Sequence, residues 1–141
     1  MAEYVNSALQ VVAENANVVF ADDPIPCTKG YVAHRAGSGL FTLRGVTNQC
    51  RALYKVSFGG NIAIPTGGTV EAISLAIAIE GEALGGATMI ETPAAVEEFS
   101  NVFASIFVTV PRGCCLTVTV RNTSTQAINV QNANLIVERV A

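Results

Sequence analysis

The chain has 141 residues, the length of one domain, and its 8 basic and 11 acidic residues give a formal net charge of −3. That balance argues against nucleic-acid binding, which leaves a basic footprint, and no apolar run approaches the roughly 18 residues that span a bilayer, so membrane insertion is not expected. Half of the chain is hydrophobic and only 13% is charged, against roughly a quarter in ordinary soluble domains; a lone protomer would expose apolar patches, which usually mark a partner surface.

Met1-Ala2-Glu3-Tyr4 is short and acidic, with no basic region ahead of an apolar one, so no Sec-type signal is expected. A route out of the cell would then be another, such as lysis of a host. Helical periodicity is scarce, with turns of helix expected only near Glu3–Leu9 and Ala94–Phe99. The rest reads as strand. Stretches 10–13 and 17–20 come first, and Asp22-Asp23-Pro24-Ile25-Pro26 reads as a breaker rich in turn residues. Further strands are expected over 31–34, 39–44, 52–58, 69–80, 101–110, 116–121, 128–130 and 135–140. Glycine-bearing turns at Gly59-Gly60, Thr66-Gly67-Gly68, Gly85-Gly86 and Pro111-Arg112-Gly113 separate several of them. Many short strands without crossover helices imply an antiparallel sandwich or barrel.

The alternation within strands assigns faces. Ile73 to Ile79 places large branched residues on one side and Ser74, Ala76 and Ala78 on the other, a small face suited to close approach of a neighbouring subunit. In 101–110, Val102, Ile106, Val108 and Val110 form an aliphatic face, and Phe103 and Phe107 stand opposite, where a one-sided sheet would carry polar residues. Exposed aromatics of this kind read as an interface, the alternative being a strand buried on both faces within the protomer. Leu116 to Arg121 alternates aliphatic residues with Thr and Arg, so one of its faces is wet. The expected shape is a wedge packed around an axis.

The cysteines, Cys27, Cys50, Cys114 and Cys115, match no common zinc spacing. Structural or incidental roles are expected, with Cys114 and Cys115 on opposite faces of a strand and a Cys27–Cys50 disulfide as a lesser alternative. No catalytic set emerges. Ser38 and His34 are too close along the chain for a nucleophile–base pair and lack a third orienting group. Gly37-Ser38-Gly39 and Gly67-Gly68 precede no helix, so they are turn glycines rather than a phosphate loop. The scattered carboxylates Asp22, Asp23, Glu80, Glu82, Glu91, Glu97 and Glu98 form no calcium-loop array. They read as solubilising, a loop calcium site being the minor alternative, and no metal, cofactor or enzymatic activity is expected.

Three runs carry a resemblance: Gln10 to Phe20, His34 to Leu43, and Tyr54-Lys55-Val56-Ser57-Phe58. With the penultimate stretch 113–120 and the terminal Leu135-Ile136-Val137-Glu138-Arg139, they make the chain resemble bacterial and phage TNF/C1q-like domains, including those that end collagen-like spore-surface proteins. The resemblance spans nearly the whole chain but rests on strand patterns, not on a catalytic signature. It implies an all-β, antiparallel jelly-roll sandwich of ten strands, assembled as a homotrimer about an aromatic and aliphatic axis. Two departures stand out: no Gly-X-Y stalk precedes the domain, and Gly45 to Arg51, with Asn48-Gln49-Cys50, replaces the family's usual Gly-x-Tyr turn.

These readings combine into a set of expectations. Residues 1–8 form an N-terminal arm and 9–141 the jelly roll. Ser74, Ala76, Ala78, Phe103 and Phe107 form the trimer interface, and Ala2, Glu3, Tyr4 and Val5 attach the arm to a major capsid protein. The protein is then a non-enzymatic capsid decoration or head-fibre protein on the surface of a phage particle. The alternative is a receptor- or glycan-binding tip module of a fibre, or of a bacterial or spore surface, with Thr123, Ser124, Thr125 and Gln126 as its ligand loop. In that reading Tyr4 and Tyr31 are the tyrosines with a chance of exposure, and Tyr54 is core.

Overall fold

In a computed structural model that describes residues 1–27, 29–113 and 115–141, the chain forms eleven strands and no helix among the described residues. They are β1 (Ala2–Asn6), β2 (Gln10–Val12), β3 (Asp22–Ile25), β4 (Val32–His34), β5 (Phe41–Arg44), β6 (Arg51–Ala63), β7 (Ile73–Ile79), β8 (Glu82–Glu91), β9 (Ser100–Pro111), β10 (Cys115–Asn122) and β11 (Ile128–Arg139). One sheet runs β3-β1-β11-β6-β9, with β2 also on β11, and the other runs β4-β5-β10-β7-β8. Every pairing is antiparallel, and the inward faces of the two sheets share one hydrophobic core.

Alternation sets the faces as the sequence reading expects, because a two-residue period puts every second side chain on the core side. Tyr54, Val56 and Phe58 of β6, Leu75 and Ile77 of β7, and Val118 and Val120 of β10 are all fully buried. Aromatic rings pack across the sandwich. Phe41 lies 4.7 Å from Tyr4 and 5.2 Å from Phe20, and Phe20 meets Phe58 edge-on at 6.2 Å, geometries that favour aromatic pairs.

Several expectations are corrected. Residues 1–8 are not an arm. Ala2–Asn6 is strand β1, paired on one side with β11 and on the other with β3, and Ala2 (0% exposed) and Tyr4 (2%) sit in the core. No helical turn forms over 3–9, and 94–97 is bend and turn, followed by irregular chain at 98–99. The expected breaker 22–26 is edge strand β3, where Pro24 is tolerated because one side of an edge needs no N–H donor. Stretch 17–20 contributes only isolated bridges, Asn17 to Arg121 and Phe20 to Ser38. Gly59-Gly60 lies inside the long β6, and Gly85-Gly86 inside β8, which the sequence reading missed. The two C-terminal segments are one strand, β11, whose register shifts between Gln131 and Asn134 around Asn132 at φ 58°; an extra residue of this kind kinks a strand without ending it. The expectation for Cys114 lies outside the described residues. Cys27 and Cys50 are free thiols, so no Cys27–Cys50 bridge forms.

Two local devices hold the loops. A Cβ on Gly45 would collide with the Pro111 carbonyl oxygen, so the 45–50 loop packs against the 111–113 turn only with glycine there. Asn122, fully buried, donates its amide to the carbonyls of Val12 (3.0 Å), Ala13 (3.2 Å) and Gln126 (3.0 Å) and accepts from the Ser124 N–H (2.9 Å). It joins the end of β2, the end of β10 and the turn before β11. Asn122→Ala orphans buried carbonyls, at about 1–3 kcal/mol for each group left unsatisfied. The expected outcome is a loss of at least that size in a chemical-denaturation curve, and an unchanged midpoint would show that the hub carries no stability.

Candidate functional site

The single histidine is structural in its surroundings. Its side chain is fully buried, with Nδ1 3.1 Å from Asp23 Oδ1 and Nε2 2.9 Å from the Ser38 carbonyl oxygen, and it stacks on Phe41 at 4.4 Å. The Ser38 hydroxyl accepts from the Leu40 N–H at 3.0 Å. The pair weighed as nucleophile and base therefore meets through the wrong serine atom, and His34 instead ties β3 to β4. Among the described residues no three His, Cys, Asp or Glu side chains converge to hold a metal ion.

The expected interface residues divide. Phe103 and Phe107 project from the outer face of the six-stranded sheet, 65% and 64% exposed, on its edge strand β9. Gly59 lies opposite Phe103, and Lys55 and Ser57 complete the adjacent strip of β6, with Ile136 of β11 beyond. Ser74, Ala76 and Ala78 belong elsewhere. Leu75 and Ile77 of the same strand fill the core, so these three face outward from the five-stranded sheet, on the opposite side of the sandwich from the phenylalanines. Ala76 and Ala78 are fully buried, flanked by Arg121, Thr119 and Thr88 on the neighbouring strands. They have no surface left to offer a subunit.

The 123–126 turn is stitched to the protein instead of free for a ligand. Ser124 Oγ donates to the Ser74 carbonyl (3.1 Å) and accepts from its N–H (2.7 Å), and Thr123 Oγ1 pairs with Ser74 Oγ at 2.6 Å. Gln126 bonds the Thr69 N–H and carbonyl and, with Thr125, the Glu71 carboxylate. Polar residues at a turn signalled hydrogen bonding correctly, but the partners are inside the chain. Ala2–Val5, as β1, likewise supplies no free attachment arm.

What the sequence reading missed is a groove on the outer face of the five-stranded sheet. Its floor is Thr117, Thr119 and Arg121 of β10. Its walls are Asn15 and Asn17 on one side, the Glu80-Gly81 turn on the other, and Leu40 ahead of β5, enclosing about 490 Å³. These residues come from four separate stretches of chain, so no local motif announces them.

Cys27 sits in an electrostatically biased environment. Burial alone would push the Cys27 thiol up, but backbone N–H groups of Lys29, Val32, Tyr31 and Gly30 hold it below its ordinary value. Tyr4, buried nearby, is pushed up to about 12 by burial, with the charges of Cys27 and Asp23 adding to it. A thiol stabilised as thiolate reacts at lower pH. Iodoacetamide labelling of Cys27, followed by peptide mass spectrometry, should therefore show a rate midpoint below the about 8.5 of an unperturbed thiol; a midpoint at or above it would contradict the N–H cradle.

No protein-family model matches the chain, and no curated protein matches it in sequence. Solved structures do match. The chain superposes on the globular domain of zebrafish complement 1qA with a TM-score of 0.63 at 11% identity, covering 96% of this chain and 94% of that one. For Eiger TNF of S. frugiperda the TM-score is 0.70 at 15% identity, over 99% and 91%. For murine APRIL it is 0.66 at 10% identity, over 97% and 98%. At such identities the likeness is one of architecture. The protein is an antiparallel jelly-roll sandwich of the TNF/C1q-like type.

Proposed function

We propose that the chain is a non-enzymatic structural protein of a phage or prophage particle, a homotrimer that decorates or stabilises the capsid or forms a head fibre. The observation that carries self-association is the pair of exposed rings, Phe103 and Phe107, on edge strand β9. Fully burying such a side chain contributes about 1.5–3 kcal/mol, and an open strand edge beside it is a further site for a neighbouring copy. The assembly, as the sequence resemblance implies, is a trimer, whose closed ring would use the same patch once on each subunit. Matched threefold symmetry then lets a trimer bridge neighbouring subunits of a major capsid protein at a virion surface, multiplying weak contacts. The site chemistry supports a binding role over catalysis, since His34 ties β4 to β3 through Asp23 and the Ser38 hydroxyl accepts from the Leu40 N–H.

Two measurements test this reading. Phe107→Asp places a carboxylate where the assembly requires a dry surface, a costly burial, so sedimentation should show monomers or aggregates. A well-folded trimer from that variant would place the interface elsewhere. Wild-type protein should co-sediment with shells of the major capsid protein and the variant should not; wild-type protein that stays in the supernatant would refute decoration while leaving the trimer intact.

A further inference from the structure

We infer that the groove on the five-stranded sheet is a binding site for a neutral sugar residue, a function beyond the structural role proposed above and independent of it. The argument begins with shape. A concavity of about 490 Å³ is within the usual range for small-molecule sites, and it lies on the opposite side of the sandwich from Phe103 and Phe107. It stays open when that face is covered.

The backbone around it is unusually constrained. Asn15 (φ 63°), Glu80 (φ 52°) and Gly81 (φ 82°) all adopt left-handed conformations on the groove wall. Glu80-Gly81 is the two-residue turn of the β7–β8 hairpin, where two positive φ values favour Asn or Gly in the first place. A glutamate there is the wrong residue for the turn alone. Its carboxylate Oε1 accepts from the Thr117 N–H at 2.6 Å, and its own N–H donates to the Thr117 carbonyl at 2.8 Å. Conformations imposed against local preference collect at functional sites.

The polar groups are fixed and partly unused. Arg121 donates to the Gly81 carbonyl at 2.8 Å and to Asn15 Oδ1 at 3.4 Å, which aligns its planar fork and leaves further N–H groups to donate. Thr117 and Thr119 sit two residues apart on one face of β10. Among the described residues their hydroxyls, the Asn17 amide and Glu80 Oε2 take no protein partner in the hydrogen-bond pattern around the groove.

This set selects a ligand by elimination. An anion would meet the Glu80 carboxylate beside the one guanidinium. A divalent cation lacks ligands, since no three metal-binding side chains converge among the described residues. An apolar molecule would desolvate hydroxyls and amides with nothing in return. A neutral molecule dense in hydroxyls fits, because each hydroxyl both donates and accepts. Glu80 and Asn15 accept, Arg121 and Asn17 donate, and the threonines do both. Leu40, 51% exposed on the rim, gives an apolar wall for the C–H face of a sugar ring.

The test is a titration of the full chain with glucose, galactose, mannose and N-acetylglucosamine, each at millimolar concentration, followed by amide chemical shifts in a proton–nitrogen correlation spectrum. At least one sugar should shift the amides of residues 15, 17, 81, 117, 119 and 121. Thr119→Val, which removes a hydroxyl at nearly constant volume, should weaken that sugar about tenfold, the worth of about one hydrogen bond. Thr117→Val should do the same should the first variant fold poorly. Phe107→Asp, if it yields folded protein, should retain the shifts. The inference is overturned by silence from all four sugars, by shifts centred on residues 123–126, by unchanged affinity in folded Thr119→Val and Thr117→Val, or by inorganic phosphate moving the same amides at lower concentration than any sugar.

Discussion

The C-terminal strand is the constraint on which the six-stranded sheet depends. β11 pairs with β6 along one side and with β2 and then β1 along the other. The bulge at Asn132 kinks it between the part that meets β2 and the part that meets β1. The first strand of the chain is therefore held by the last. Pairings of such long sequence separation slow folding because loop closure precedes their reward, and the same pairings fix the surface that β6 and β9 present outward.

From that sheet the functional asymmetry follows. Strand alternation drives one face of each sheet into the common core, and the outer faces then differ in chemistry. The six-stranded sheet shows Phe103 and Phe107, and the five-stranded sheet shows threonines, asparagines and a hydrogen-bonded arginine. In the proposed reading the first face takes another copy of the chain and the second a hydroxyl-rich ligand.

The long, alternating strands were legible in the sequence because period two is a strong signal: β9 and β10 fall where expected, β7 occupies 73–79 of the expected 69–80, β6 runs past its expected end at 58 to Ala63, and Phe103 and Phe107 point outward as read. The missed strands have physical reasons. β1 turns Ala2, Tyr4 and Asn6 inward, a small, an amphipathic and a polar residue, so its alternation carries little hydrophobic contrast. β3 contains Asp22-Asp23-Pro24, which reads as a turn and survives as strand only at an edge. β8 contains Gly85-Gly86, both exposed, with open space around each. The small residues of β7 were correctly placed on one face, but which sheet that face belongs to depends on topology that alternation does not carry. The polar turn at 123–126 was visible and its partners were not, since Ser74, Thr69 and Glu71 lie some fifty positions away. The groove was invisible for the same reason, being assembled from segments that only the sandwich brings together.

The central claim is that the phenylalanine face is covered by copies of the chain, and the mass of the intact protein in solution tests it most directly. Light scattering coupled to size exclusion should give three 14.7 kDa chains in one particle that does not dissociate on moderate dilution. A stable particle of one chain, with Phe103 and Phe107 left in water, would contradict the account.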